Sequence, residues 1–118
     1  MYKLKIKHHF DAAHFLPCYN GKCQNLHGHR WEIVVEIWTK ELDKQGFVVD
    51  FGSVKEVINQ YDHACLNDKT EYKDIQPTAE NISRLIYQKI KKLTPKIKKL
   101  KVTVFEAPNN SITYYENK

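Results

Sequence analysis

No stretch of this 118-residue chain approaches the ~18 consecutive apolar residues that a bilayer-spanning helix needs, so no membrane partner is expected. The first ten residues, MYKLKIKHHF, alternate lysine with apolar side chains and lack the unbroken apolar stretch of a secretory signal. Cysteine is scarce. Cys18, Cys23 and Cys65 are odd in number and cannot all pair within the chain, so reduced thiols in a cytoplasmic protein are the simplest expectation. There is no internal repeat, linker or low-complexity segment. Nor does a base-reading or RNA-binding motif accompany the net charge of +5. Most of that excess sits in KIKKLTPKIKKLK, residues 89–101, which reads as the solvated side of a helix end and a strand start. No nucleic-acid partner is expected from it.

What is present describes one globular domain, residues 1–118, long enough to form a core without disulfides. Tyr2, Leu4, Ile6, His8 and Phe10 share one parity, the mark of a half-buried strand. A loop follows from about Phe15 to Leu26. Trp31, Ile33, Val35 and Ile37 alternate in a second long strand. Asp43–Gly46 is turn-like, and Phe47–Asp50 reads as a short strand pairing back. Ser53 and Glu56 have capping-box spacing, ahead of a helix that buries Phe51, Val54, Val57, Ile58 and Tyr61. Thr78 caps a second helix with a stripe of Ile82, Leu85, Ile86, Ile90 and Leu93, which Pro95 stops. KVTVFEA and SITYYE are two final strands around the turn residues PNN. The expected fold class is α+β, a four-stranded antiparallel sheet with two helices on one face. Its open edges must be capped, twisted away or paired with another subunit.

His27 and His29 flank a glycine and project to the same side of an extended chain. If the first two strands pair antiparallel, His14 at the end of the first meets that pair at the start of the second. Three imidazoles suit Zn²⁺ and leave a position open. An H-x-H pair alone reads first as an exposed pair or one hydrogen-bonded near the core; the third histidine and the nearby thiol turn the reading towards a metal site. Cys23 has two readings: a fourth ligand closing a structural site, or a free thiol beside an open metal. A chain with an adequate core has less need of a structural metal, which favours the open version. A thiol near a dication and Lys22 is acidified and can act as a base. Cys18 and Cys65 read as small hydrophobes, and His8 and His9 belong to no spaced set.

Asp62 and His63 stand side by side at a helix end, a candidate acid–base pair, although adjacent side chains do not easily face each other. Glu106 shares parity with Val102 and Val104, so an apolar strand face ends in a carboxylate that needs a partner. A heterocycle offering N–H and NH₂ side by side would be one; water is the other.

Together the segments FDAAHFLP, KCQNLHGH, YDHACLN, PTAEN and FEAPNN resemble, in order and over nearly the whole chain, the motifs of the 6-pyruvoyl-tetrahydropterin synthase / 6-carboxy-tetrahydropterin synthase family. The resemblance implies zinc on His14, His27 and His29, a catalytic Cys23, a charge-relay pair Asp62–His63 and a pterin-anchoring Glu106. Thr78 and Lys22 become substrate contacts. The three residues between Cys23 and His27 resemble the carboxy-tetrahydropterin branch. That branch implies conversion of 7,8-dihydroneopterin triphosphate to 6-carboxy-5,6,7,8-tetrahydropterin, with release of acetaldehyde and triphosphate, in queuosine and 7-deazaguanine synthesis. It also implies the tunnelling fold, with sheets joined around a barrel in a homohexamer, a dimer of trimers. Phe15 departs from the basic residue often found after the first zinc histidine. A pyruvoyl-forming or dihydroneopterin-cleaving homologue, and a non-catalytic zinc-stabilised module, are the competing readings.

Overall fold

The computed structural model describes residues 1–17, 21 and 24–117. In chain order its elements are β1 (Tyr2–His14), β2 (His27–Thr39), α1 (Phe51–Asn59), β3 (Ala64–Cys65), α2 (Ala79–Leu93), β4 (Lys99–Ala107) and β5 (Asn110–Tyr114). Two short 3-10 turns, Leu66–Asp68 and Thr70–Tyr72, link β3 to α2. β1 and β2 pair antiparallel along their full length, from Tyr2 opposite Thr39 to His14 opposite His27. β2 pairs antiparallel with β4, and β4 with β5.

The sheet is five-stranded and mixed, in the order β3-β1-β2-β4-β5, rather than four-stranded and purely antiparallel. The extra strand is β3, which runs parallel to β1 with Ala64 opposite Ala12 and Cys65 opposite Ala13. Two residues are too few to carry an alternation, so no sequence pattern marks them. Residues 47–50, expected as a strand, are not one. Val48 and Val49 instead pack against the core from a loop, and Asp50 caps α1 by accepting from the Gly52 amide at 2.8 Å. The cap therefore lies three residues ahead of Ser53. Phe51 falls in the first turn of α1 and is exposed rather than buried. The Asp43–Gly46 turn forms, with Gly46 at φ +87°, a conformation that glycine takes without strain.

Thr78 caps α2, its hydroxyl oxygen accepting from the Asn81 amide at 3.2 Å. Ile82, Ile86 and Ile90 are fully buried, and Ser83 and Tyr87 join them. Leu93, expected on that stripe, is 42% exposed because the helix ends there and Thr94 turns the chain away.

One face of the sheet carries the core. Leu4, Ile6, Phe10 and Ala12 of β1, Trp31, Ile33, Val35 and Ile37 of β2, and Leu100, Val102 and Val104 of β4 all point to it. Val54, Val57 and Ile58 of α1 and the isoleucines of α2 close it from above. Followed to one end, the same parities lead to His14, to His27 and His29, and to Glu106. The helix-covered face thus runs out of apolar side chains and continues as imidazoles and a carboxylate. On the opposite face the ammoniums of Lys3, Lys99 and Lys101 lie 5.0, 5.4 and 5.8 Å from the Trp38 ring centroid. Among the described residues no helix is long and apolar enough to cross a membrane.

Truncation of Ile86 to alanine should cost ~2–5 kcal/mol, the usual range for emptying a packed site. Leu93→Ala should stay within ~0.5 kcal/mol, as surface substitutions do. Urea midpoints of the two variants give the comparison, and equal losses would contradict the end of the buried stripe described above.

Candidate functional site

The antiparallel register sets His14 directly opposite His27, and the two-residue side-chain period brings His29 to the same face. The rings converge: centroids are 4.6 Å apart for His14 and His27, 5.1 Å for His14 and His29, and 4.8 Å for His27 and His29. The Trp31 ring packs edge-on against His14 at 4.8 Å and forms the floor. His14 Nδ1 donates to the Pro77 carbonyl at 2.8 Å, and His27 Nδ1 donates to the Asn25 carbonyl at 2.7 Å. A carbonyl can only accept, so these bonds place a proton on Nδ1, and in the neutral ring the lone pair then lies on Nε2.

His14 Nε2 and His29 Nε2 are buried and have no hydrogen-bond partner. Glu106 Oε1 lies 3.3 Å from His29 Nε2 and 4.0 Å from His14 Nε2, without forming a hydrogen bond to either. One ligand atom from each of His14, His27, His29 and Glu106 falls within 4.8 Å of all the others. Burial pushes His14 and His29 below the ordinary imidazole pKa and outweighs the neighbouring Glu106, which acts in the opposite direction. Neutral imidazoles with unpartnered nitrogens, joined by a carboxylate, are a donor set fit for a divalent cation of borderline softness.

Asp62 and His63 do face each other. His63 has φ +56°, and this left-handed turn folds its ring back so that Nδ1 lies 2.9 Å from Asp62 Oδ2. Asp62 Oδ1 accepts from the Asp11 amide at 2.9 Å, while the His63 amide donates to the Asp11 carbonyl at 2.7 Å. These bonds hold the Asp62 carboxyl below its usual range, the Asp11 amide first and His63 second. Behind the turn, Tyr61 is fully buried and donates to Glu71 at 3.1 Å, and Lys89 bridges both oxygens. The His63 side chain itself is 83% exposed and stands apart from the imidazole cluster. It shares with His29 a shallow depression also lined by Asp11, Ala13, Gly28 and Cys65.

Two groups had no assigned role in the sequence. The Pro77 carbonyl, being main chain, carries no residue-type signal. Asn67 lies within YDHACLN: its amide accepts from Phe15 N at 3.0 Å and donates to Phe15 O at 2.9 Å. This reciprocal clamp fixes the chain immediately after His14, and the invitation to find it was the carboxamide three residues beyond Ala64. Thr78 uses its oxygen in the helix cap, one residue after the carbonyl that orients His14. Cys23, Lys22 and Cys18 lie outside the described residues. Glu106 borders a cleft of about 440 Å³, together with Gly28, Arg30, Glu32, Phe105 and Pro108. A Cβ built on Gly28 would meet nothing within 4 Å, so the chain between the two histidines is open to an approaching molecule.

A mixed sheet under two helices with a metal-ligand cluster where its strands end defines the class. The chain belongs to the 6-pyruvoyl tetrahydropterin synthase family, whose model matches residues 3–117. It is 30% identical to the 6-carboxy-5,6,7,8-tetrahydropterin synthase of Haemophilus influenzae, over 98% of this chain and 100% of that protein. The Bacillus subtilis protein of the same name is 29% identical over 99% of this chain and 87% of its own length. The structure of Caenorhabditis elegans 6-pyruvoyl tetrahydropterin synthase superposes with a TM-score of 0.78 at 28% identity, covering 98% of this chain and 96% of that one.

Burial of His14 and His29 predicts a pH dependence for the metal-free protein. Their folded pKa values lie below the unfolded value of ~6.5, so on acidification the unfolded chain takes up protons first. Their contribution is complete above ~6.5 and is lost as pH falls through the folded values. Chelator-treated protein should therefore melt at a lower temperature at about pH 5.5 than at about pH 7.5, and His29→Gln should shrink that difference. An unchanged melting temperature across this window would contradict the assignment.

Proposed function

We propose that the chain, acting as one domain over residues 1–118, is a zinc-dependent 6-carboxy-5,6,7,8-tetrahydropterin synthase. The reaction takes 7,8-dihydroneopterin triphosphate and water to 6-carboxytetrahydropterin, acetaldehyde and triphosphate, placing the enzyme among lyases of queuosine and 7-deazaguanine biosynthesis in the cytoplasm. The observation that carries this reading is the convergence of His14, His27 and His29, with buried unpartnered nitrogens on His14 and His29, in a chain collinear with relatives bearing that name.

In this reading His14, His27 and His29 hold the zinc, which when bound supplies Lewis-acid activation of the substrate side chain. Glu106 grips the N–H and NH₂ edge of the pterin ring with a two-point hydrogen bond. Cys23, as thiolate, removes a proton from the side chain. Asp62 orients His63, so that His63 moves protons on the other face. Lys22 and Thr78 contact the substrate, Lys22 through the triphosphate. The exposure of His63 suits a site completed between subunits, with sheets joined around a barrel in a hexamer of two stacked trimers.

The C. elegans structure keeps a pyruvoyl-forming reaction as the second reading, because that protein shares the fold end to end. Incubation of the purified zinc-loaded protein with 7,8-dihydroneopterin triphosphate, followed by mass analysis, decides between them. A carboxylated tetrahydropterin with acetaldehyde is the expected result. A pyruvoyl product would give the second reading, and no turnover would remove both. Cys23→Ala should abolish turnover while the protein retains its metal. Loss of the metal instead would make Cys23 a ligand.

A further inference from the structure

The position of Glu106 is at odds with a single role. Its carboxylate oxygen faces two imidazole nitrogens, at 3.3 Å from His29 and 4.0 Å from His14. For His14 the proton is committed to Nδ1 by the Pro77 carbonyl, so Nε2 and the carboxylate oxygen are both acceptors. Two acceptors do not hold each other in place. Nor is the 3.3 Å contact to His29 a hydrogen bond, since His29 Nε2 has no partner. What does bring such atoms together is a shared cation. Ligands ~2.0–2.1 Å from a tetrahedral ion stand ~3.3 Å from one another, which is the His29–Glu106 separation. The Glu106 side chain is one-third exposed, and the residue is among those lining the cleft between Gly28 and Pro108. Its carboxylate can therefore be reached from solvent while one oxygen faces the ion position.

We propose that Glu106 is an exchangeable ligand. With the cleft empty, it closes the fourth position of the metal held by His14, His27 and His29. When a pterin ring enters the cleft, the carboxylate leaves the ion for the ring's N–H and NH₂ edge. The coordination position opens only once a ring is held. Recognition of the ring and exposure of the Lewis acid are then one movement of one side chain, and the metal is shielded from other ligands in the resting protein. The identity of the incoming ring rests on the function proposed above; the ligation itself rests on the distances.

The test uses Co²⁺-loaded protein and its visible absorption, with metal affinity measured by chelator competition. Glu106→Gln keeps the shape and removes the charge. It should weaken Co²⁺ binding about 10-fold or more and change the visible spectrum. The probe is pterin itself, which has no side chain and so cannot reach the ion. Adding pterin to the unaltered protein should convert its spectrum into that of the E106Q variant, and should leave the variant's own spectrum where it was. Equal affinity and equal spectra for the two proteins would overturn the ligation. A spectrum unmoved by pterin, at concentrations that saturate its fluorescence change or with no binding at all, would overturn the exchange. If pterin shifts the spectrum but 7,8-dihydroneopterin triphosphate yields no product, the proposed reaction falls and the exchange stands.

Discussion

The structure depends on a crowding of acceptors. Lone pairs on imidazoles and a carboxylate oxygen meet at the end of a sheet face, with two of the nitrogens buried and unpartnered. Without a cation this is a costly arrangement, because each desolvated acceptor has lost its water and gained nothing. With one, every awkward feature becomes useful. Burial disfavours the charged forms of His14 and His29, the two backbone carbonyls hold a proton on Nδ1 of His14 and His27, and the Trp31 floor packs against the rings. The rest of the fold supplies rigidity for this one spot.

That rigidity comes from register. A slip of one residue between β1 and β2 would turn every side chain of one strand to the wrong face and scatter the histidines. The core residues Phe10, Trp31, Ile33 and Val35 forbid the slip, since each would then meet water. The packing that stabilises the domain and the geometry that gathers the ligands are therefore the same constraint. The Asp62–His63 pair follows another logic. It is built at a strained turn on the sheet edge, held by backbone bonds to Asp11, with its ring left in solvent.

Much of this was legible in the residues because parity is legible. The alternation in Tyr2–Phe10 and Trp31–Ile37 predicts the long strands, their antiparallel pairing brings His14 to His27 and His29, and the parity of Val102 and Val104 puts Glu106 at the end of an apolar face. What parity could not carry was anything short or main-chain in origin. β3 has two residues, so it left the sheet undercounted. The Phe47–Asp50 run had strand composition but became a loop that delivers Asp50 to its cap, and the competing Ser53 signal misplaced the start of α1. The contact between Asp62 and His63 depended on a backbone angle that residue type does not announce. Pairing Glu106 with a heterocycle or with water overlooked the nearest candidates, which were the histidines themselves.

The bond from His14 to the Pro77 carbonyl reaches beyond the cluster. Pro77 is the residue before the cap of α2, so the ring that would touch the ion also tethers the entrance of the longest helix. Changes in occupancy at the sheet's end are thus transmitted to that helix's first turn through a single donor–acceptor pair. Backbone amides around Asn81 become reporters of a chemical event in which they take no part.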